Sequence, residues 1–441
     1  MNHVLFTLFV LVFASCIAVP NGEVPDEPVD EHEDLDEPSD PEVAFDDFAL
    51  RGNPDFDPDQ LSSEARVWYD LLWFAIENEE YDPDAISIAE EDGLHHLGRS
   101  LNQHITALLL AFRATGDLRF LDEVDRFGEI LRGRLTTVWI DHDGNEIIPD
   151  DDTEGFRRLL YLRKEDSSHW GRDTHSMNDQ LTHANIAHFT YAYHNNRDLT
   201  SPTGIDYGER ADFWTDYLIN DFEKKWRIRR NTPEGFPFFI RNLAHPYAQF
   251  ARWHHYMYLI TGDGGYADER DRRIDSMIDE LVTCPSDVGM AYIWSHGVQG
   301  EGSSHEFLQP INYALHEVSA YVDFIIEDAN PHIDAEHMQR LANTWSQFVN
   351  DGDPDDTGRP WAGTVGGQEG RCGLFARSDP SRRTWNQWAR GMWGITQLWD
   401  ETGEIAEINA DVYERTESDP DRPERIYIPT IKLLDAVYSE H

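Results

Sequence analysis

Leu101-Asn102-Gln103-His104-Ile105-Thr106-Ala107-Leu108-Leu109-Leu110-Ala111-Phe112-Arg113-Ala114-Thr115-Gly116-Asp117 is the stretch from which the fold can be read. Leu101, Ile105, Leu108 and Phe112 recur at i, i+4, i+7 and i+11, the spacing of one face of an α-helix. The helix should stop at Thr115-Gly116-Asp117, where Gly suits the left-handed position after the last turn and Asp can cap a following helix. That second helix begins Arg119-Phe120-Leu121 and runs to about Arg132. The pair is a little-charged helix, then a strongly charged one.

The same arrangement returns along the chain. Asp179 to Tyr193 reads as a helix closing at Asn195-Asn196-Arg197-Asp198, and His245 to Ile260 as one closing at Thr261-Gly262-Asp263. His305 to Ile326 and Arg383 to Trp399 continue the series, the last closing at Thr402-Gly403-Glu404. A helix apolar nearly all round has to be buried, whereas its charged successor can face water. Such pairs stacked side by side bury a continuous core. The pairs are too long and irregular for a tetratricopeptide-like array. The expected fold is therefore all-α, an (α/α) toroid over residues 61–441, an incomplete barrel of about six to seven helix pairs, with a generic helical bundle as the alternative. Strand signals are few; Thr136 to Ile140 with the Asp141-His142-Asp143-Gly144 turn reads as a minor β-hairpin.

Two segments precede that body. Val4 to Val19 is an apolar run placed where an export signal belongs and too short for a comfortable membrane span. Within it Val12-Phe13-Ala14-Ser15-Cys16 resembles a bacterial lipobox, with Phe13 in place of the usual Leu. Residues 1–16 are accordingly expected to be an export signal, and the protein to be secreted, periplasmic or an outer-surface lipoprotein anchored at Cys16. From Glu23 to Gln60 the chain holds sixteen acidic residues, one arginine and repeated proline. Residues 17–60 are expected to be a solvated, disordered tether. Beyond Cys16 only Cys284 and Cys372 remain; one disulfide or two free thiols are both open.

The whole chain of 441 residues carries 84 acidic and 36 basic side chains, a formal net charge of −48. A surface of that sign repels phosphate backbones, which excludes nucleic acid as a partner, and disfavours adhesion to anionic lipid. A membrane is expected to be met only through the anchor at Cys16. With 40% hydrophobic residues and 14 Trp the chain can still bury a large core. Only four of the basic residues are lysine, so the Arg-over-Lys, acid-rich balance resembles that of salt-adapted proteins.

In a ring of helix pairs the inner helices start on one rim, so their first turns line a common cleft. Aligning the terminal turns at Asp117, Asp198 and Asp263 places Asn102, His183 and Ala248 (beside Tyr247) at equivalent heights. Arg241 lies shortly upstream of Tyr247, in Arg241-Asn242-Leu243-Ala244-His245-Pro246-Tyr247. With this set the chain resembles the toroidal polysaccharide lyases that cleave alginate and glucuronan, although it lacks the adjacent Asn-Asn-His signature of one of their families. The resemblance implies an anionic polysaccharide substrate and β-elimination. An Asn or Arg neutralises the uronate carboxylate, while His and Tyr exchange protons.

Elimination removes H5, a proton α to a carboxylate and therefore weakly acidic. Groups that stabilise the developing dianion must supply several kcal/mol. Asn102 and Arg241 are the candidates for that. His183, with an ordinary pKa near 6.5, would take H5, and Tyr247 would protonate the departing O4. His245, Arg252, His296, Gln299, His305 and Trp385 are candidate substrate contacts. The Gly-rich stretch Ser295 to His305 would be a sugar-binding loop, and Trp385, Trp388 and Trp393 a stacking face. Lys224-Lys225-Trp226-Arg227-Ile228-Arg229-Arg230 would either steer a polyanion or answer acidic neighbours. No cofactor is expected. The adjacent pairs His95-His96 and His254-His255 do not suit one metal ion, and no metal site is expected, although the acidic surface leaves Ca²⁺ binding open. The competing readings are a glycoside hydrolase on the same ring, using two of Asp173, Asp179, Glu301 and Glu306, and a glycan-binding lipoprotein without catalysis.

Overall fold

A computed structural model of the chain describes residues 50–78, 102–162, 168–231, 243–298, 308–327, 329–349, 365, 372, 393–416 and 424–439. Over these the protein is all-α, with two short hairpins. Its helices are α1 (Ser63–Glu77), α2 (Asn102–Thr115), α3 (Leu118–Gly133), α4 (Ser176–Asn195), α5 (Tyr207–Asp216) and α6 (Lys224–Arg229). They continue with α7 (Ala244–Thr261), α8 (Gly264–Ile278), α9 (Ile311–Ile326), α10 (Ala335–Thr344), α11 (Glu404–Thr416) and α12 (Glu424–Tyr438). A π-helical turn, Tyr217–Glu223, joins α5 to α6, and a second, Trp345–Val349, extends α10. β1 (Trp139–Ile140) pairs antiparallel with β2 (Glu146–Ile147), and β3 (Val282–Pro285) with β4 (Met290–Ile293). None of the described helices is long and apolar enough to cross a membrane.

The punctuation expected from sequence is present at atomic level. Gly116 and Gly262 adopt φ of 69° and 70°, the left-handed region that ends α2 and α7. Asp117 then accepts the Arg119 amide at 3.0 Å, and Asp263 the Gly265 amide at 2.9 Å, which starts α3 and α8. The last helix of the sequence series differs. Only residues 393–399 of it are described, Gly394–Trp399 as a 3-10 helix, and residues 373–392 lie outside the described residues.

Packing sorts the helices into two rows. α12, α2, α4, α7 and α9 touch one another in that order, while α3 lies on α2, α5 on α4, α8 on α7, α10 on α9 and α11 on α12. Within the first row α4, α7 and α9 run parallel. Met177 meets His245, Asn185 meets Arg252, and His188 stacks on Tyr256 at 4.3 Å, so numbers rise together along α4 and α7. His245 against Tyr313, Gln249 against His316 and Ser319, and Arg252 against Asp323 show the same for α7 and α9. Parallel neighbours require each intervening charged helix to return the chain, which explains the alternation along the sequence. Six Trp side chains, at 214, 226, 253, 294, 345 and 393, are fully buried among these helices. Burial of each large apolar side chain stabilises the fold by about 2–3 kcal/mol.

The folded body begins before the boundary expected at residue 60. Leu50 is buried, the Asn196 side chain donates to the Leu50 carbonyl at 2.9 Å, and it accepts the Gly52 amide at 2.7 Å. A Cβ on Gly52 would sit 2.3 Å from Leu118 Cδ2, so a larger residue here would have to displace the Leu118 side chain. Arg51 adds an ion pair to Asp198 at 2.6 Å. Acidic composition had marked this segment as tether, but a few backbone contacts to α4 and α2 suffice to order it. Residues 1–49, including the expected signal and Cys16, lie outside the described residues. Cys284 and Cys372 form a disulfide, which resolves the alternative that the sequence left open.

Buried histidines make the fold acid-sensitive. Burial holds His254 down to about 3 and His337 down to about 4, with the Arg273 guanidinium adding to the effect at His254 and Arg340 at His337. Below pH 6.5 the unfolded chain takes up protons at these positions and the native one does not, so stability falls as pH falls. In molar NaCl, which screens the surface charge, unfolding free energy should decline from pH 6.5 to pH 4. His337→Phe, which fits between Tyr292 and Tyr321, should flatten that decline by about 1.4 kcal/mol per pH unit, measured by urea denaturation at each pH.

Candidate functional site

The first turns of α4, α7 and α9, with the segments that lead into them, gather histidine and tyrosine side chains on one rim. His245, in the first turn of α7, stacks on Tyr313 of α9 at 4.2 Å and lies 5.5 Å from the ring of His296. His296 and Tyr313 are themselves 5.4 Å apart, and His316 lies 6.4 Å from His245. On the α4 side, His245 Nε2 touches Met177 Sδ at 3.1 Å. His175, just before α4, stacks on Tyr161 at 4.7 Å and meets His169 edge-on at 4.9 Å. His245, His316 and Tyr161 are buried, whereas His169, His175, Met177, His296 and Tyr313 are half-buried and form the accessible edge.

Local structure places these groups. His175 is the N-cap of α4, its Nδ1 accepting the Asn178 amide at 3.3 Å, which puts the ring proton of the neutral form on Nε2. His296 sits beyond β4 in a stretch that bridges to the start of α7, with Leu243 paired to Gly297 and the Ala244 amide bonded to the His296 carbonyl at 3.1 Å. Its Nδ1 contacts Gln309 Oε1 at 2.6 Å, so there the proton lies on Nδ1 and Nε2 is the basic nitrogen. Two rim histidines are thus held in opposite tautomers. Among the described residues no three His, Cys, Asp or Glu side chains converge as a metal site.

Beneath this rim a buried polar column runs between α4, α7 and α9. Arg252 has no exposed surface; its Nε donates to Asp323, Nη1 to Asn185 Oδ1 at 2.6 Å and Nη2 to His188 Nδ1 at 2.6 Å. Burial and the Arg252, Arg113 and His255 side chains hold His188 well below its ordinary pKa, so it stays neutral and can accept that bond. Arg252 is therefore a tie among three helices, where the sequence had placed it as a substrate contact.

The remaining sequence candidates divide as follows. His183 is fully buried; Nδ1 bonds the Asp179 carbonyl at 2.7 Å, Nε2 the Tyr217 hydroxyl at 2.8 Å, and the ring stacks on Phe222 at 3.8 Å. It points towards the π turn of the second row, away from the rim. Tyr247 likewise faces the second row, its hydroxyl accepting from Arg272 Nη1 at 3.3 Å and its ring lying 4.6 Å from the Arg273 guanidinium. Alignment by terminal turns had set α4 and α7 65 residues apart, but facing residues such as Met177 and His245 are 68 apart. α4 runs to Asn195 and α7 to Thr261, so their ends are not level. Three residues rotate a helix by about 300°, enough to move a side chain to another face. Asn102 opens α2, with its side chain outside the described residues; Arg241, Gln299, His305, Trp385 and Trp388 also lie outside them. Trp393 is core, stacked on Trp345 at 5.2 Å.

The basic run 224–230 answers acidic neighbours. Lys225 is fully buried against Asp173 at 2.6 Å and Asp179 at 3.6 Å, Arg229 is buried against Asp173 and Asp151, and Arg227 pairs with Glu223. These contacts hold the Asp173 carboxyl well below the usual range despite its burial. Sequence reasoning missed His169, His175, Tyr161, Tyr313 and His316 as a group. His175 at the N-cap of α4 and Tyr313 in the first turn of α9 carried a readable signal, a polar aromatic ring at the start of a buried helix; Tyr161, His169 and His316 did not.

Compared with models of known protein families, with curated proteins and with solved structures, the chain shows no match.

Arg252→Met should destabilise the fold by about 3–5 kcal/mol, because it leaves the Asp323 carboxylate buried without a partner. Denaturant unfolding checks this; a change below 1 kcal/mol, roughly the value of an exposed pair, would remove Arg252 as the tie.

Proposed function

We propose that the protein is an exported polysaccharide lyase that cuts a uronic-acid polymer such as alginate, polymannuronate or glucuronan by β-elimination, on an (α/α) toroid of which the described helices form an arc. The observation that carries this reading is the meeting of His245, His296 and Tyr313 at 4.2–5.5 Å on the rim where three parallel buried helices start. The parallel run of α4, α7 and α9, each followed by a charged helix packed against it, supports the toroid. The Cys284–Cys372 disulfide supports export, because disulfides persist in oxidising compartments.

The rim supplies what elimination needs. H5 and O4 sit on adjacent sugar carbons, so one base and one acid a few ångströms apart serve both. His296, whose Nε2 is the basic nitrogen, takes H5, and Tyr313 protonates O4 as the C4–O4 bond breaks and the C4=C5 bond forms. His183 and Tyr247 give up these roles, since their polar atoms bond within the core and to the outer row. Arg241, in the segment before α7, and Asn102 remain the candidates for holding the uronate carboxylate. Gln299 and His305 belong to the segment between β4 and α9, and with His245 remain candidate sugar contacts. Of the four carboxylates that a hydrolase would draw on, Asp173 and Asp179 are taken up by Lys225, Arg229 and Arg158, which does not suit that role, and Glu301 and Glu306 lie outside the described residues.

Incubation with alginate, polymannuronate and glucuronan should raise the ultraviolet absorbance of a conjugated 4,5-unsaturated product. Reducing ends without absorbance would indicate a hydrolase, and neither signal would indicate binding alone. His296→Ala and Tyr313→Phe should each lower kcat by at least about a hundredfold, whereas Tyr247→Phe should leave it within about threefold. Because enzyme and substrate are both anionic, kcat/KM should rise several-fold, on the order of tenfold, between about 0.01 and 0.5 M NaCl.

A further inference from the structure

The geometry points to Gln309 as a positioning residue: anchored by Glu317, its side-chain amide holds His296 as the Nδ1–H tautomer and so presents Nε2 as the proton acceptor. The kinetic consequence of this assignment rests on the lyase reading; the tautomer itself does not.

Gln309 is immobilised from both ends. It is fully buried immediately before the N-cap of α9; its backbone amide donates to the Trp294 carbonyl at 2.9 Å, and its carbonyl accepts from the Val365 amide at 3.1 Å. Its side-chain Nε2 donates to Oε1 of Glu317, in the second turn of α9, and its Oε1 lies 2.6 Å from His296 Nδ1. A primary amide has one donating and one accepting end. With the donating end committed to Glu317, the oxygen faces His296 and can only accept, so Nδ1 must carry the proton.

Burial works against charge on Glu317: it is buried, and desolvation pushes its carboxyl well above the usual carboxylate range. An ionised carboxylate reaching His296 directly would favour the imidazolium and weaken it as a base near neutral pH. A neutral amide fixes the tautomer without that electrostatic penalty. During elimination the C5–H electron pair enters the C4=C5 bond, the proton moves to His296 Nε2, and the imidazolium keeps its Nδ1–H on Gln309. O4 leaves with the proton from Tyr313, and Glu317 is unchanged.

The test uses the full chain labelled with ¹⁵N-histidine, reading the two ring-nitrogen shifts of His296, assigned by loss of its signals in His296→Asn. Wild type at pH 8 should show protonated Nδ1 and unprotonated Nε2; the reverse pattern overturns the assignment, whether or not any uronan is cleaved. Gln309→Leu should release the tautomer towards Nε2–H and, on a substrate that wild type cleaves, lower kcat at least about tenfold with KM within about threefold. Gln309→Glu should restore Nδ1–H and move the acid limb of the pH–rate profile up by about one unit. Glu317→Gln, which keeps a neutral acceptor, should leave tautomer and kcat within about twofold of wild type; a tenfold loss there would overturn the neutral anchor. Should Gln309→Leu fail to fold, the Gln309→Glu and Glu317→Gln pair decides alone, since a merely structural Gln309 would leave the pH profile unmoved.

Discussion

Arg252 is the constraint on which the rest of this molecule depends. One guanidinium, with no contact with water, holds Asp323 of α9, Asn185 and His188 of α4, and through its own backbone α7. The planar fork allows only one relative height for the three helices, because each nitrogen is aimed at a different partner. Gln249 repeats the tie one turn earlier, donating to the His316 carbonyl and to Ser319. Once α4, α7 and α9 are level at Arg252, their first turns are level too. Met177, His245 and Tyr313 then meet on the rim, and His296 is drawn in by its bond to Gln309. The rim geometry is thus a consequence of register, and the register is set by buried polar bonds that would be costly to leave unmade.

Much of this was legible in the chain. The Gly and Asp punctuation at 116–117 and 262–263 has a direct physical basis, since a left-handed residue closes one helix end and a short side-chain acceptor satisfies the amides that open the next. The alternation of apolar and charged helices is legible for the same kind of reason: surface without polar groups must be covered. Helix register was not legible, because a terminal turn marks where one helix stops and says nothing of how it sits beside the next. His183 shows the cost. The same composition that makes a histidine a plausible base also makes it a good partner for a buried tyrosine and a backbone carbonyl, and only tertiary contacts decide between them. Residues 50–60 were misread in the opposite direction, because acidity dominates their composition while Leu50 and Gly52 determine their placement.

Charge shows most clearly how composition and arrangement differ. Among the described residues eight of the scarce cations are buried and so are eight carboxylates, so burial leaves the acid excess of the chain at its surface. Arg113, Arg158, Lys225, Arg229, Arg252 and Arg273 are all buried, each paired with a carboxylate. Arginine suits this use: its guanidinium is more weakly hydrated than an ammonium and satisfies several acceptors at once. Exposed helix faces instead carry the surplus carboxylates, with exposed pairs such as Arg66–Asp70 on α1 that contribute little individually. A chain organised this way gains internal order from its cations and solubility from its anions. Any attraction for the polyanionic substrate proposed above therefore has to be local to the rim, over distances shorter than the screening length, about 3 Å at 1 M salt. Within that distance hydrogen-bond donors and neutral histidines count for more than net charge, which is how the proposed activity would be reconciled with so acidic a chain.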